Sequence, residues 1–119
     1  MKKYTLRFRE VDRHIFEQIR KKEKTVETRA ATVKYKDIKK GDGLIFVCGG
    51  DKIEKEVKNA TLFKSVRMLL RHHGIRNIMP DFSTIKEALK RYKLFPGYEE
   101  KIKKFGIIAL ELQDVQRQR

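Results

Sequence analysis

The stretch Lys22-Glu23-Lys24-Thr25-Val26-Glu27-Thr28-Arg29 decides how the chain is read. It leaves the end of an amphipathic helix and enters an alternating segment. Side chains two apart in a strand share a face, so Thr25, Glu27 and Arg29 point one way and Val26 and Thr28 the other. Lys24 stands at the junction, close enough to face the same space as Glu27 and Arg29. An ammonium, a carboxylate and a fork-shaped guanidinium thus converge at one edge of the core. Two readings stay open: a ligand site, or an internal salt bridge of Glu27 with Arg29 or Lys24 that stabilises the edge modestly. As a ligand site, Arg29 can clamp a phosphate or a base edge bidentately. Glu27 can accept from an exocyclic amine or orient Arg29. Lys24 can bind phosphate, or act as a base if burial lowers its pKa.

Upstream of this stretch, Tyr4 to Glu10 alternates, with Tyr4, Leu6 and Phe8 on an inner face and Thr5, Arg7 and Arg9 outside. Asp12 can cap a helix from Arg13 that carries Ile15, Phe16 and Ile19 at helical spacing. The signature strand is expected over Lys24 to Ala31. Beyond it a polar connector, Thr32 to Lys40, holds Tyr35 and Ile38 as anchors, and Gly41-Asp42-Gly43 makes a turn. Leu44 to Cys48 is an apolar central strand, and Gly49-Gly50-Asp51 is a hairpin signal. The return strand, alternating through Ile53, Lys55 and Val57, extends to Phe63 and is the longest.

A helical insertion follows. Ser65 caps a helix that carries Val66, Leu69 and Leu70 inward and ends at Gly74. A packed loop holds Ile75, Ile78, Met79 and Pro80. Thr84 and Glu87 have capping-box spacing ahead of Ile85, Leu89 and Tyr92. Pro96-Gly97 turns into a short basic helix from Tyr98 to Lys104. Gly106 to Leu112 is a last buried strand. Residues 1–113 read as one α+β domain, a small β-barrel of five or six strands with helices packed outside. Residues 114–119 read as a polar tail that frays.

The chain of 119 residues carries 30 Lys and Arg against 16 Asp and Glu, a formal charge of +14. Such an excess favours polyanions, RNA or a nucleotide first and DNA second. A solvated surface of ion-pair networks is the other reading, but it leaves the imbalance of sign unexplained. Arg7, Arg9, Lys34 and Lys36 could guide phosphates, and Tyr35, Phe95 and Tyr98 either stack bases or pack the rim. One cysteine, Cys48, excludes an internal disulfide and a cysteine zinc site, and reads as a small buried hydrophobe. His72 and His73 are adjacent, about 100° apart on a helix. They do not share a metal easily, and favourable charge at a helix C-terminus is their expected role. No metal and no cofactor are expected. No apolar run approaches the ~20 residues of a membrane span, so a soluble, cytoplasmic protein is expected.

The signature also resembles a known family. Lys24, Glu27 and Arg29 reproduce the K-x-x-E-x-R core of the G-x-K-x-x-E-x-R motif of ASCH domains, a branch of the PUA-like superfamily. Ile38-Lys39-Lys40-Gly41-Asp42, Phe63-Lys64-Ser65 and Phe105-Gly106-Ile107-Ile108-Ala109-Leu110 resemble further pieces of small prokaryotic members, so the likeness spans about residues 4 to 112. It implies a PUA-like barrel with a cleft lined by the motif, and an RNA-related function. It also admits a small amidohydrolase acting on N4-acetylcytidine, or a ribonuclease, with Lys24 and Glu27 as catalytic candidates. In the amidohydrolases a Thr stands three residues after the Lys; here that position is Glu27, and the later Glu has no match by motif. The motif's leading glycine is Lys22 here. If that glycine serves to leave the helix, Lys22 must adopt a left-handed backbone. A non-catalytic protein-interaction module is a third reading.

Overall fold

The computed structural model describes residues 1–116. Its sheet grows from the hairpin that Gly49-Gly50 turns, where β3 (Gly43–Cys48) pairs antiparallel with β4 (Asp51–Phe63) and Cys48 faces Asp51. On the far side of β3 lies β1 (Lys3–Phe8), parallel to it. On the far side of β4 lies β5 (Ile107–Gln113), and β2 (Val26–Ala30) closes the row against β5. The order is β1-β3-β4-β5-β2, a mixed five-stranded sheet. It curls into a half-barrel with helices around it, so the fold is α+β with the lower of the two expected strand counts. β1 and β2 are its two edges, and the Arg29 guanidinium bridges them by donating to the carbonyl of Arg7 at 3.3 Å.

Two apolar clusters hold the sheet from its two faces. Inside the curl lie Leu6, Phe16, Ile19, Leu44, Phe46 and Val57, all at or below 1 % exposure. Phe16 and Ile19 come from α1 (Arg13–Arg20), whose apolar spacing puts both on the buried stripe. Outside the curl, Leu69 from α2 (Val66–His72), Ile78 from α3 (Ile75–Ile78), Ala88 and Tyr92 from α4 (Ile85–Tyr92), and Ile102 from α5 (Tyr98–Phe105) pack on β2 and β5. β5 serves both clusters, with Ile108 and Leu110 inward and Ile107 and Ala109 toward the helices. That double burial is why its sequence is continuously apolar rather than alternating.

The expected alternation of β4 holds through Ile53, Lys55 and Val57 and then changes phase. The register slips between Val57 and Asn59, so Ala60 packs with the inner cluster and Phe63 with the helices. One extra residue in one strand reverses the facing of everything after it. The caps at Ser65 and Thr84 form as expected, accepting the backbone N–H of Met68 and Glu87 at 3.2 Å each. Gly74 follows the α2 cap residue but is not left-handed; at φ −60° it instead begins α3, a one-turn helix where a loop was expected. His73 caps α2 among the rings of Phe63 and His72, and burial lowers its pKa, so the expected cationic role at the helix end does not apply to it.

Two further expectations are corrected. The signature strand begins at Val26, not Lys24, because the N–H groups of Glu23 and Lys24 both still bond to the Gln18 carbonyl. Lys22 leaves the helix at φ 64°, the one positive φ outside glycine among the described residues. It thus does what the motif glycine would do, at a cost of about 1 kcal/mol for the side chain. The polar tail is anchored at its start. Asp114 accepts from Lys22 at 2.7 Å and from the buried Lys55 at 2.8 Å, and the N–H of Gln116 bonds Glu56. The last three residues of the expected tail lie outside the described residues. No described helix is long and apolar enough to cross a membrane.

The hydrogen bonds from Lys22 and Lys55 hold the Asp114 carboxyl at about 2. Its folded pKa is depressed, so its contribution to stability is complete above the unfolded value near 3.9 and is lost as pH falls toward 2. A side-chain carbonyl NMR titration should place the Asp114 midpoint near 2 in wild type and higher in Lys22→Ala; equal midpoints would refute the pairing.

Candidate functional site

The open seam between β1 and β2 holds a cavity of about 260 Å³. Its floor is the signature: Lys24, Glu27, Thr28 and Arg29. The end of β1 gives Arg7 and Phe8, Arg9 follows directly after it, and α1 gives His14, Ile15 and Gln18. The helical insertion closes the remaining side, with Tyr92, Phe95 and Tyr98 as its aromatic wall. Five of the surrounding side chains are Lys or Arg (Arg7, Arg9, Lys24, Arg29, Arg91) and three are Asp or Glu (Asp12, Glu27, Asp81), so the cleft is cationic.

The internal salt bridge expected of the signature forms. Lys24, Glu27 and Arg29 pair internally, and they also line the cleft. Glu27 is 4 % exposed. One of its oxygens lies 3.4 Å from the Lys24 ammonium and accepts the N–H of Thr28 at 2.9 Å; the other receives Arg29 at 3.2 Å. Lys24 is buried, and its Nζ also donates to the carbonyls of Val26 at 2.9 Å and Ile78 at 2.5 Å. Its three protons therefore face three acceptors. Val26 and Thr28 lie on the unpaired side of an edge strand, so Lys24 and Glu27 cap the polar groups a neighbouring strand would otherwise take. Burial presses the Lys24 pKa down, Glu27 pulls it back up, and Arg29 adds to the depression.

Arg29 is the member of the trio with a donor left over. Its guanidinium carbon lies 5.0 Å from the Phe8 ring centre and 5.7 Å from that of Tyr35. Nε and one terminal nitrogen are taken by Glu27 and Arg7, and the other terminal nitrogen has no partner among the described residues. Burial opposes its charge, but Glu27, Tyr98 and Tyr35 outweigh that, and its pKa stands above the ordinary arginine value. Tyr98, half-buried on the wall, has its hydroxyl pushed up to about 12 by burial. On the other face of β2, Thr28 shares a 2.5 Å hydrogen bond with the Tyr92 hydroxyl, which fastens the signature strand to α4.

Among the expected site residues, Arg7, Arg9, Lys24, Glu27, Arg29 and Tyr98 meet at the cleft. Tyr35 does not line it and instead supports Arg29 from behind. Lys34 and Lys36 are exposed on the connector and do not line it, with Lys34 lying over the Tyr35 ring at 5.4 Å. Asp12 was expected to cap α1 and does not; its carboxylate binds Arg9 at 2.9 Å and Arg91 at 3.1 Å. That link joins residues 79 apart in sequence, and no local pattern marks it. Among the described residues no group of three His, Cys, Asp or Glu is placed to hold a metal ion.

No family model and no curated protein matches the sequence. Two solved structures resemble this one along nearly their whole length. The crystal structure of hypothetical protein PH0355 is 31 % identical, with a TM-score of 0.82, over 95 % of this chain and 99 % of that one. The solution NMR structure of protein PF0455 from Pyrococcus furiosus is 28 % identical, with a TM-score of 0.72, over 97 % of this chain and 99 % of that one.

Proposed function

The chain belongs to the family of protein PH0355, a premise that brings a fold without a named activity, and from the chemistry of the cleft we propose an ASCH-type, PUA-like domain that binds RNA or a nucleotide. The observation that carries this reading is the Arg29 guanidinium. It is held rigidly by Glu27 and two aromatic rings at the floor of a cationic, aromatic-walled cavity, with one nitrogen unspent. A planar fork reads a base edge or phosphate, and aromatic walls offer stacking surfaces to any base. The chain's charge of +14 supplies long-range attraction.

The test is fluorescence anisotropy of a short labelled single-stranded RNA at about 50 and 200 mM salt. If three phosphates are neutralised, a slope of about −0.7 per contact makes binding weaken roughly 20-fold over that fourfold change in salt. The double variant Arg7→Gln, Arg9→Gln should bind more weakly and lose about 1.4 from the slope. An affinity unmoved by salt, or no RNA binding at low salt, refutes the proposal. Equal binding of heparin would favour the interaction-module reading.

A second reading, hydrolysis of an acylated cytidine or of RNA, is favoured by the lowered pKa of the buried Lys24. A basic Lys24 would first have to give up a proton that faces three acceptors. Turnover of N4-acetylcytidine that vanishes in Lys24→Met with the fold intact would establish it; no turnover at high protein concentration would dismiss the amidohydrolase form.

A further inference from the structure

We infer that Arg9 and Arg91, tied together by Asp12, form a phosphate clamp at the mouth of the cleft, so that its ligand is a phosphorylated nucleoside rather than a free base. This rests on the nucleotide-binding reading above. Asp12 is 6 % exposed, a carboxylate buried between two arginines from distant elements. One oxygen takes the Nε of Arg9 at 3.0 Å and a terminal nitrogen at 2.9 Å; the other takes a terminal nitrogen of Arg91 at 3.1 Å. Each guanidinium keeps one terminal nitrogen that no described residue engages. The carboxylate cancels one of the two charges and leaves the pair a net cation.

The two arginines differ in exposure and share the Asp12 carboxylate. Arg91 is 23 % exposed, and its guanidinium carbon sits 4.6 Å from the Phe95 ring centre. It is thus fixed by a carboxylate and by an aromatic face. Arg9, the residue after the edge strand, is held by Asp12 yet 54 % exposed, so a ligand can reach it. Arg7, exposed beside it, adds a third cation on the same side of the cavity. Aimed guanidinium forks bind phosphate oxygens in a defined direction, unlike scattered lysines. Because Arg91 lies in the helical insertion and Arg9 directly after β1, phosphate binding would also draw these two sides of the cleft together.

The test compares adenosine, cytidine, guanosine and uridine with their 5′-monophosphates, by calorimetry, on wild type, Arg91→Met and Arg9→Gln. Wild type should prefer the monophosphate of whichever base binds by about tenfold or more, the strength of a charge-assisted contact. Arg91→Met should bring that preference within about twofold, costing the monophosphate more affinity than the nucleoside. Arg9→Gln, which leaves Asp12 its contact with Arg91, should lower it part of the way, with urea denaturation checking that the fold is kept. A dinucleoside monophosphate adds a phosphodiester arm: binding tighter than the mononucleotide assigns the clamp to an RNA chain, and weaker binding to a terminal phosphate. Nucleoside binding without phosphate preference, or equal loss of nucleoside and monophosphate in Arg91→Met, overturns the clamp alone. Failure of wild type to bind nucleoside, monophosphate or RNA overturns the clamp and the parent reading together.

Discussion

Glu27→Ala is expected to destabilise the fold by about 3–5 kcal/mol, the cost of leaving buried charges without their counter-charge. Lys24 and Arg29 are 5 % and 12 % exposed, and Glu27 is the only carboxylate paired with either among the described residues. Removing it also strips the Thr28 N–H of its acceptor on an edge strand. Urea denaturation would read this directly; a loss below about 1 kcal/mol would mean that the three side chains are not coupled in this way. The triple variant Lys24→Met, Glu27→Leu, Arg29→Met separates structure from function. Burying an ion cluster is costly, so apolar side chains of similar volume should recover much of the lost stability. If that triple folds well and binds no RNA, the cluster is kept for its ligand. If it folds well and binds RNA like wild type, the cluster is a relic of packing and the cleft is not the site.

Much of this arrangement was legible in the sequence because it depends on local chemistry. The hairpin at Gly49-Gly50, the caps at Ser65 and Thr84 and the double-faced β5 each follow from residues within a few positions of one another. So does the left-handed Lys22, foreshadowed by a motif that carries glycine at that place. What the sequence hid depends on long-range contact. The bulge at Lys58 reverses the facing of β4 without any glycine or proline to announce it. Asp12 looked like a helix cap because it precedes a helix, and it was instead recruited by an arginine brought close only by folding. The signature trio was recognisable, but its double role was not. Whether three charges face one another or a ligand is decided by the seam between β1 and β2, and those strands meet only when the sheet curls.

Arg29→Lys should weaken RNA binding by about 10- to 100-fold while leaving the salt slope of wild type unchanged. The substitution preserves charge, so whatever it costs is geometry. Arg29 performs three tasks at once: it answers Glu27 through Nε and a terminal nitrogen, it reaches the Arg7 carbonyl across the seam, and its plane lies over Phe8 and Tyr35. A lysine ammonium can satisfy Glu27 or the carbonyl, but it has no plane to lay on the rings and no fork that keeps one nitrogen unspent. The contrast with the rim is the discriminating feature. Arg7→Gln with Arg9→Gln removes charge and should flatten the salt dependence; Arg29→Lys removes none and should shift the whole binding curve in parallel. If Arg29→Lys binds RNA as wild type does at both salt concentrations, the polyanion is held by surface charge, and the cleft must be tested against small ligands instead. If it loses affinity and also salt slope, the substitution has opened the seam and displaced Arg7 and Arg9, and the stability of the variant in urea would fall with it.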